Sequence, residues 1–354
     1  MASIDVWFGG IISINEVNNK VNNKGKKKMK IVSGLGSVDE YIPYVKAGAD
    51  EFFCGYVPYE WLRKYGVFLP LNRREVVCCQ VQIGSRSELK ILGHMMEKYG
   101  KPIQITLNSL YYIPEQYAII AEMIQDCMEI GFDTFIIADL ALLNYIRRQG
   151  IQCKVHISGE MAEVNRPMME MLDSFDIERY IFHRKNTIED MRSCIDERKN
   201  KSTEYEAFIL NEWCHFTGAY CNSLHCDELP HLCKVPYELK RIEKQTKNQI
   251  GKRMEEPMWK ESQEETFHYQ TGKTGCGLCA LKQLQKAGIT HLKLVGRGNY
   301  PSFMQEDIKQ LKRAMELSED IENENEFRQE IRYKIMNGSC SQVCYYREEI
   351  ENAD

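Results

Sequence analysis

The residues with the clearest chemical potential lie between Asn211 and Cys233, in the run NEWCHFTGAYCNSLHCDELPHLC. Cys214, Cys221, Cys226 and Cys233 share this one short loop with three histidines. Thiolates are the soft ligands that zinc and iron–sulfur clusters select, so thiols gathered this densely in a reducing compartment point to metal. The competing reading is a set of unrelated buried or loop cysteines. Cys276 and Cys279 form a C-x-x-C where a helix pattern begins, a place where free N–H groups and the positive end of the helix dipole favour thiolate. Cys340 and Cys344 form a C-x-x-x-C near the end of the chain. Zinc would also accept four thiolates, but the spacing argues against a ribbon-type zinc site, which expects two close C-x-x-C pairs.

Positioning these residues falls to a repeated alternation of short β-branched or aromatic runs with amphipathic helix patterns. KIVSGL, DEFFCGYV, PIQITLNSL, DTFIIADL, CKVHISGE, ERYIFHRK, EYEAFILNE and THLKLVGRG read as eight strands, the seventh running straight into the cysteine loop. Helix patterns lie between them: Ser37 and Gly48 are placed to bound the first, Pro114 to sit in a first turn, and Thr187 with Asp190 to start another. Eight such units predict a (β/α)8 TIM-barrel-like domain, with a doubly wound open sheet as the competing fold. The expected organisation is a flexible basic tail over 1–28 and a barrel-like domain over 29–320. That domain contains the cysteine loop at 211–236 and a charged insertion at 237–272, and a C-terminal segment follows at 321–354.

In a barrel of this kind the reactive groups sit where strands end. The polar residues at those ends are Ser33, Asn108, Asp139, Ser158 with Glu160, Arg184, Asn211 with Glu212, and Arg297. Any of them could instead cap a helix or pair with a loop. Arg184 ends an apolar strand, where a buried guanidinium fork needs an anion such as a carboxylate or phosphate. His156 lies mid-strand and reads equally as a satisfied core histidine.

The 354 residues are 43% hydrophobic and 27% charged with a formal charge of −5, so there is no general pull toward nucleic acid or an anionic membrane. No apolar run approaches the ~20 residues of a membrane helix, and the start has no basic region of the secretory type. Fourteen cysteines without a secretory signal predict reduced thiols in a cytoplasm, an anaerobic one given the oxygen sensitivity of exposed clusters.

The Cys214-x6-Cys221 pair after a strand ending in Asn-Glu, then Cys233, then LCALKQLQKAGITHLKLVGRGN, resembles the collagenase-like peptidase family U32. KVHISGEMAEVN, similar to that family's His-x-Ser-Thr-Gln stretch with its trailing Asn, and ERYIFHRK carry the likeness further; it runs from about Lys30 to about Leu317. The resemblance implies a barrel-like αβ domain and a [4Fe–4S] cluster, with Cys214, Cys221, Cys233 and Cys279 at the ligand positions. It also implies an activity like that of oxygen-independent hydroxylases acting in ubiquinone synthesis or on RNA bases, although the family name denotes peptidases. Three departures stand out: Asn211 in place of the usual His, Gly159-Glu160 in place of Thr-Gln, and Val295 in place of Glu between the retained Lys293 and Arg297. Outside the resemblance, Cys226, Cys276, Cys340 and Cys344 suggest a second metal site, even another cluster, with the C-terminal tail closing over the first. Free or resolving thiols are the alternative. Cys54, Cys127, Cys153 and Cys194 read as core, and Cys78-Cys79 as a loop pair.

The resulting expectation is a cluster-dependent, hydroxylase-type enzyme acting on a small molecule, an RNA or a peptide, with an electron donor or a homologous subunit as partner and no membrane. Arg184 and Arg297 would hold an anion, and Glu160 or His156 would move protons. Asn108, Asp139, Ser158, Asn165, Glu212 and Lys293 would complete the substrate site. A peptidase is the second reading, with no G-x-S-x-G or H-E-x-x-H present and a nucleophile such as Cys54 left open. A cluster-stabilised binding module is the third.

Overall fold

The computed structural model describes residues 28–66, 69–73, 81–161, 164–196, 198, 202–214, 221, 269–338, 340 and 343–347. Eight parallel strands close into one barrel in sequence order, β1 pairing with β8 to complete the ring. The strands are β1 (Lys30–Leu35), β2 (Glu51–Gly55), β3 (Ile103–Leu107), β4 (Thr134–Ile137), β5 (Lys154–Ile157), β6 (Ile177–Ile181), β7 (Glu204–Leu210) and β8 (His291–Leu294). The predicted (β/α)8 barrel is therefore what the chain forms, and each strand falls within or beside the run read from sequence.

The helices around it are α1 (Tyr41–Ala47), α2 (Tyr59–Tyr65), α3 (Arg86–Tyr99), α4 (Pro114–Ile130), α5 (Leu140–Arg148), α6 (Arg166–Met171), α7 (Ile188–Asp196), α8 (Leu281–Lys286), α9 (Pro301–Asp320) and α10 (Glu324–Lys334). Local chemistry sets their limits. Gly48 ends α1 in the left-handed conformation at φ 117°, Pro114 opens α4, and Thr187 and Asp190 bond each other's backbone N–H ahead of α7. Ser37 differs from expectation. Its side chain makes no cap bond, because a 3-10 turn at Val38–Glu40 intervenes before α1. Helices α2 and α10 were not anticipated. The predicted tail lies outside the described residues except for position 28, and the predicted insertion except for 269–272.

The shell between strands and helices is apolar, with Ile105, Ile137, Ile157, Phe182, Leu292 and Leu294 fully or nearly fully buried, and Cys54, Cys127, Cys153 and Cys194 are buried in it as expected. The inside of the barrel is different. Side chains alternate along a strand, and the inward set on β2, β3, β6, β7 and β8 begins with Glu51, Gln104, Arg179, Glu204, Glu206, His291 and Lys293. Arg179 bonds Glu51 and Glu204 through Nη2 at 2.7 Å each and Glu206 through Nη1 at 2.8 Å. Lys293 Nζ reaches Glu206 at 2.6 Å, and Lys30 Nζ and Gln104 Nε2 reach Glu51 at 2.8 and 3.0 Å. Burial alone would raise the Glu51 and Glu206 carboxyls. For Glu51 the His291 hydrogen bond and the Arg179 charge reverse that, and for Glu206 Lys293 and Arg179 hold it at about 2. Removing one member would strand the rest as buried unpaired charge, a cost of about 3–5 kcal/mol.

His156 belongs to this interior. It is 1% exposed with Nε2 on Glu178 at 2.9 Å, and burial followed by the charge of Arg179 lowers it to about 4. Burial likewise lowers His183 to about 4. In the unfolded chain both titrate near 6.5. Between pH ~6.5 and ~4 the unfolded chain therefore binds more protons than the native one, and stability falls as pH falls through that window. A fully buried imidazole shifted this far contributes about 3 kcal/mol to that loss. Urea midpoints measured from pH 7 to 4 should drop steeply in wild type and less steeply in His156→Asn. An unchanged slope in the variant would show that His156 is not held neutral.

Candidate active site at the barrel mouth

The inward alternation carries each strand from this charged floor to its carboxyl end, and the end residues enclose a cavity of about 590 Å³ counted to its open mouth. Phe53, Thr106, Asn108, Ile136, Ile181 and Phe208 form much of the wall. Ser158, Glu160, Arg184, Glu212, Lys293 and Arg297, all singled out from sequence, line it as well.

The cations are held by rings and carboxylates. The Arg184 guanidinium lies 4.1 Å from the centre of the Phe208 ring, and Lys293 Nζ lies 3.8 Å from that of Phe53. Arg184 Nη1 donates to Glu160 Oε1 at 3.0 Å, Arg73 Nε stands 3.8 Å from Glu160 Oε2, and Ser158 Oγ accepts the Glu160 N–H at 3.2 Å. Burial would lower the Arg184 pKa, but Glu160, Tyr345, Cys214 and Glu212 together raise it, so the group stays charged. Its buried Nε has no hydrogen-bond partner among the described residues. Arg297 donates to Thr106 Oγ1 at 3.4 Å and Asn72 Oδ1 at 3.2 Å. It passes so close to β2 that a Cβ on Gly55 would stand 2.5 Å from its Nη1. Burial lowers the Lys293 pKa against the pull of Glu206.

Other residues considered from sequence lie elsewhere. His156 sits below the cavity, bonded to Glu178. Asp139 caps α5 through the Ala141 N–H at 2.7 Å and also accepts from the Tyr112 N–H and the Tyr117 hydroxyl. Asn165 caps α6 through the Met168 N–H at 3.1 Å. Ser33 is buried on β1, its hydroxyl without a hydrogen-bond partner among the described residues. Sequence reasoning missed Phe53 and Phe208, which the two-residue period from Glu51 and Glu206 could have found. It also missed Asn72 and Arg73, which lie in a loop without periodicity, and Tyr345.

The exit of β7 is built by three pieces of chain. Asn211 and Glu212 both take the left-handed conformation, at φ 70° and 49°, which strains Glu212 more than Asn211. The N–H groups of Asn211 and Trp213 donate to Gly275 and Thr274 carbonyls at 2.8 Å each. Asn211 Nδ2 donates to Asp307 of α9 at 2.7 Å, and the Tyr345 hydroxyl donates to the Asn211 carbonyl. Tyr346 donates its hydroxyl to the Phe208 carbonyl at 2.7 Å. Cys214 thus leaves the same junction as the Cys276–Cys279 turn. Among the family-implied ligands, Cys214 and Cys221 are half-buried, and the Cys221 carbonyl accepts from Arg73 Nη1 at 2.6 Å beside Glu160. Cys233, like Cys226 and the Cys78-Cys79 pair, lies outside the described residues. Cys279 is half-buried on a 3-10 turn at Leu278–Ala280 that leads into α8. The thiols of Cys214 and Cys221 have the soft donor chemistry that a cluster takes, although among the described residues no three His, Cys, Asp or Glu side chains form a ligand set.

Peptidase family U32 matches residues 36–353. The chain belongs to that family. Across it the chain is 22% identical over 302 residues to tRNA hydroxylation protein P2 of Bacillus subtilis (strain 168), spanning 85% of this chain and 89% of that protein. A solved U32 peptidase covers 52% of the chain at 11% identity and a TM-score of 0.40, with 70% of its own length matched. Thiamine phosphate pyrophosphorylase from Pyrococcus furiosus covers 82% at 7% identity and a TM-score of 0.41, with 97% of its own length matched. No helix among the described residues is long and apolar enough to cross a membrane.

The junction has no room for a larger residue at Gly275, where a Cβ would meet the Trp213 nitrogen at 2.9 Å and the Tyr345 hydroxyl at 3.1 Å. Gly275→Ala should lower stability by about 1–3 kcal/mol and shift the emission of Trp213. Thermal unfolding and tryptophan fluorescence check this, and an unchanged midpoint would mean that the β7 exit is not tightly packed.

Proposed function

We propose that this U32 protein is an iron–sulfur-dependent, oxygen-independent hydroxylase-type enzyme that modifies an RNA base. The observation that carries the reading is the position of half-buried Cys214 among the groups that act on Arg184, beside an open, cation-lined cavity. The similarity to a tRNA hydroxylation protein supports RNA as the substrate class.

The cluster would be held by Cys214 and Cys221, with Cys233 and Cys279 as the further family-implied ligands, and when bound it supplies electron transfer to or from substrate. The chain's own residues do the rest. Arg184 and Arg297, with Lys293 between them and the floor, bind and orient an anionic group on the donor or substrate. A base enters a recess between strand ends only when unpaired or turned out of its stack, and the Phe53 and Phe208 side chains would give it an apolar wall. Glu160 is the group placed to hold or move a proton, since its carboxylate lies against Arg184 at the cavity edge. The Ser158 hydroxyl fixes its backbone. Asn108 is tied to the Arg73 N–H at 3.2 Å and keeps that loop against the mouth.

A peptidase fits less well. Cys54, the nucleophile left open by the sequence, is fully buried outside the cavity, and burial pushes its thiol up to about 12 despite Arg297. A thiol so protonated is inert at neutral pH.

Arg184→Lys keeps the charge but loses the fork and the stacking on Phe208. Anaerobically purified variant should retain wild-type iron and sulfide while its turnover falls about 100-fold, in line with the loss of a transition-state contact. The assay is mass spectrometry of hydroxylated nucleosides in RNA from cells lacking the gene, complemented with either form. Full complementation by the variant would remove Arg184 from the reaction. Absence of any change in RNA nucleosides on deleting the gene would overturn the RNA reading.

A further inference from the structure

Two thiols near the end of the chain are chemistry that the mouth leaves unused. Cys340 and Cys344, separated by three residues in NGSCSQVCYY, have their side chains in hydrogen-bonding contact. Cys340 is exposed and Cys344 is half-buried. Solvent therefore reaches one sulfur of the pair, and that sulfur already touches the other. The backbone holds Cys344 in place through a parallel β-bridge with Cys276. Cys276 N–H donates to the Val343 carbonyl and Tyr345 N–H to the Cys276 carbonyl, each at 2.9 Å.

Sequence grouped this pair with Cys226 and Cys276 as a second metal site, with free or resolving thiols as the alternative. Cys226 lies outside the described residues, and no three described His, Cys, Asp or Glu side chains gather as a metal-holding group. Cys276 is only 6% exposed, so reagents in solvent do not reach it. Cys279 is a family-implied cluster ligand. That leaves Cys340 and Cys344 as a pair.

We propose that Cys340 and Cys344 are a modification site, a dithiol that a low-molecular-weight disulfide converts to a reversible intrachain disulfide. Exposure makes Cys340 the entry sulfur, and contact makes Cys344 the resolving one. The Cys340 thiolate attacks the small disulfide, forming a mixed disulfide and expelling one small thiol. The Cys344 thiolate then attacks the Cys340 sulfur, the protein S–S bond forms and the second small thiol leaves. Two electrons pass from the cysteines to the small disulfide, and the two cysteine protons end on the two small thiols. In a reducing compartment a disulfide with one exposed partner is transient and responsive, which suits a regulatory tie better than a permanent one.

The tie has a definite consequence for the mouth. Cys344 is followed directly by Tyr345 and Tyr346, whose hydroxyls bond the Asn211 and Phe208 carbonyls. Tyr345 is also in side-chain hydrogen-bonding contact with Arg184. Helix α10 ends at Lys334, so the chain must cross from there to the Cys344 bridge before it reaches these tyrosines. A ring closed between Cys340 and Cys344 shortens the free part of that crossing. It removes more conformational freedom from the detached segment than from the attached one. Oxidation thus fastens Tyr345 against the β7 exit, and reduction loosens it. The proposal does not rest on the hydroxylase reading, because the tie would act on this mouth whatever reaction occurs there.

The test uses full-length protein purified anaerobically and equilibrated at rising ratios of glutathione disulfide to glutathione, with remaining thiols then alkylated. Trypsin releases residues 335–347, a peptide in which Cys340 and Cys344 are the only cysteines. At high ratios this peptide should lose both alkyl labels and become lighter by two hydrogens than its unlabelled reduced form, and a dithiol reductant should restore both labels. Cys344→Ser should stop with one glutathione on Cys340. Cys340→Ser, a change at an exposed position, should abolish the two-hydrogen loss. Amide exchange over residues 343–346 should be slower in oxidised than in reduced wild type. Full labelling of both cysteines at every ratio would overturn the site, as would a cross-link from either one to Cys276 or Cys279. Equal amide exchange in the two redox states would overturn the fastening.

Discussion

Arg179 is the interaction on which this barrel depends. A (β/α)8 interior is normally filled by layers of branched apolar side chains, yet here the guanidinium of β6 spans the lumen to carboxylates on β2 and β7. Three carboxylates, Glu51, Glu204 and Glu206, meet three cations, Arg179, Lys293 and Lys30, with Arg179, Glu51, Glu206 and Lys293 buried and Lys30 reaching in from the solvent-exposed end. A planar fork with five donors can satisfy such an arrangement, and a lysine in its place could not. Because the pairs join strands far apart in sequence, they fix which strand lies opposite which, beyond what the backbone ladder specifies. Polar interiors of this kind reward one register and penalise every slip, since a one-residue shift would turn each charge into the apolar shell.

The same network explains the character of the mouth. Lys293 is shared between floor and cavity: its ammonium is balanced from below by Glu206 and faces Phe53 above. Cations that line the cavity beyond it, Arg184 and Arg297, answer to Glu160 and to neutral oxygens of Thr106 and Asn72. Charge is thus close to balanced at the floor, while the mouth carries arginines in a low-dielectric setting where an anion would be bound strongly. The aromatic rings beneath them limit their movement, so the cost of ordering two long side chains is met before any ligand arrives.

The barrel was legible in the sequence because short apolar runs, most of them with β-branched or aromatic residues, alternate with helix patterns, and eight units of one kind leave few alternatives. Most of the cavity wall was legible for the same reason: Ser158, Arg184 and Arg297 stand at strand ends, where topology alone puts them at one face. Asp139 and Asn165 share those positions and were indistinguishable by sequence from cavity residues, because an Asx side chain that caps a helix and one that binds substrate are the same residue type at the same place. His156 was ambiguous until its partner Glu178 was known. Arg73 and Tyr345 were invisible, since one lies in a loop without period and the other some 160 residues beyond Arg184 in the chain. Contacts of that separation are set by tertiary packing and leave no local signal.

The β7 exit shows why the family's chemistry and this chain's particular residues have to be read together. Asn211 stands where the family resemblance leads one to expect a histidine, and here its amide is consumed by Asp307 and its carbonyl by Tyr345. An asparagine suits this position on physical grounds, because it accepts the left-handed conformation at φ 70° more readily than most residues. A structural tie thereby stands at this position, and Glu212, next in the chain and also left-handed, is among the residues that line the cavity. Strain at Glu212 is sustained by the hydrogen bonds to Thr274 and Gly275 and by the tyrosines of the C-terminal segment. A feature of the mouth is therefore maintained by residues at the far end of the chain, because the segment after α10 ties down the backbone of the β7 exit through Tyr345 and Tyr346.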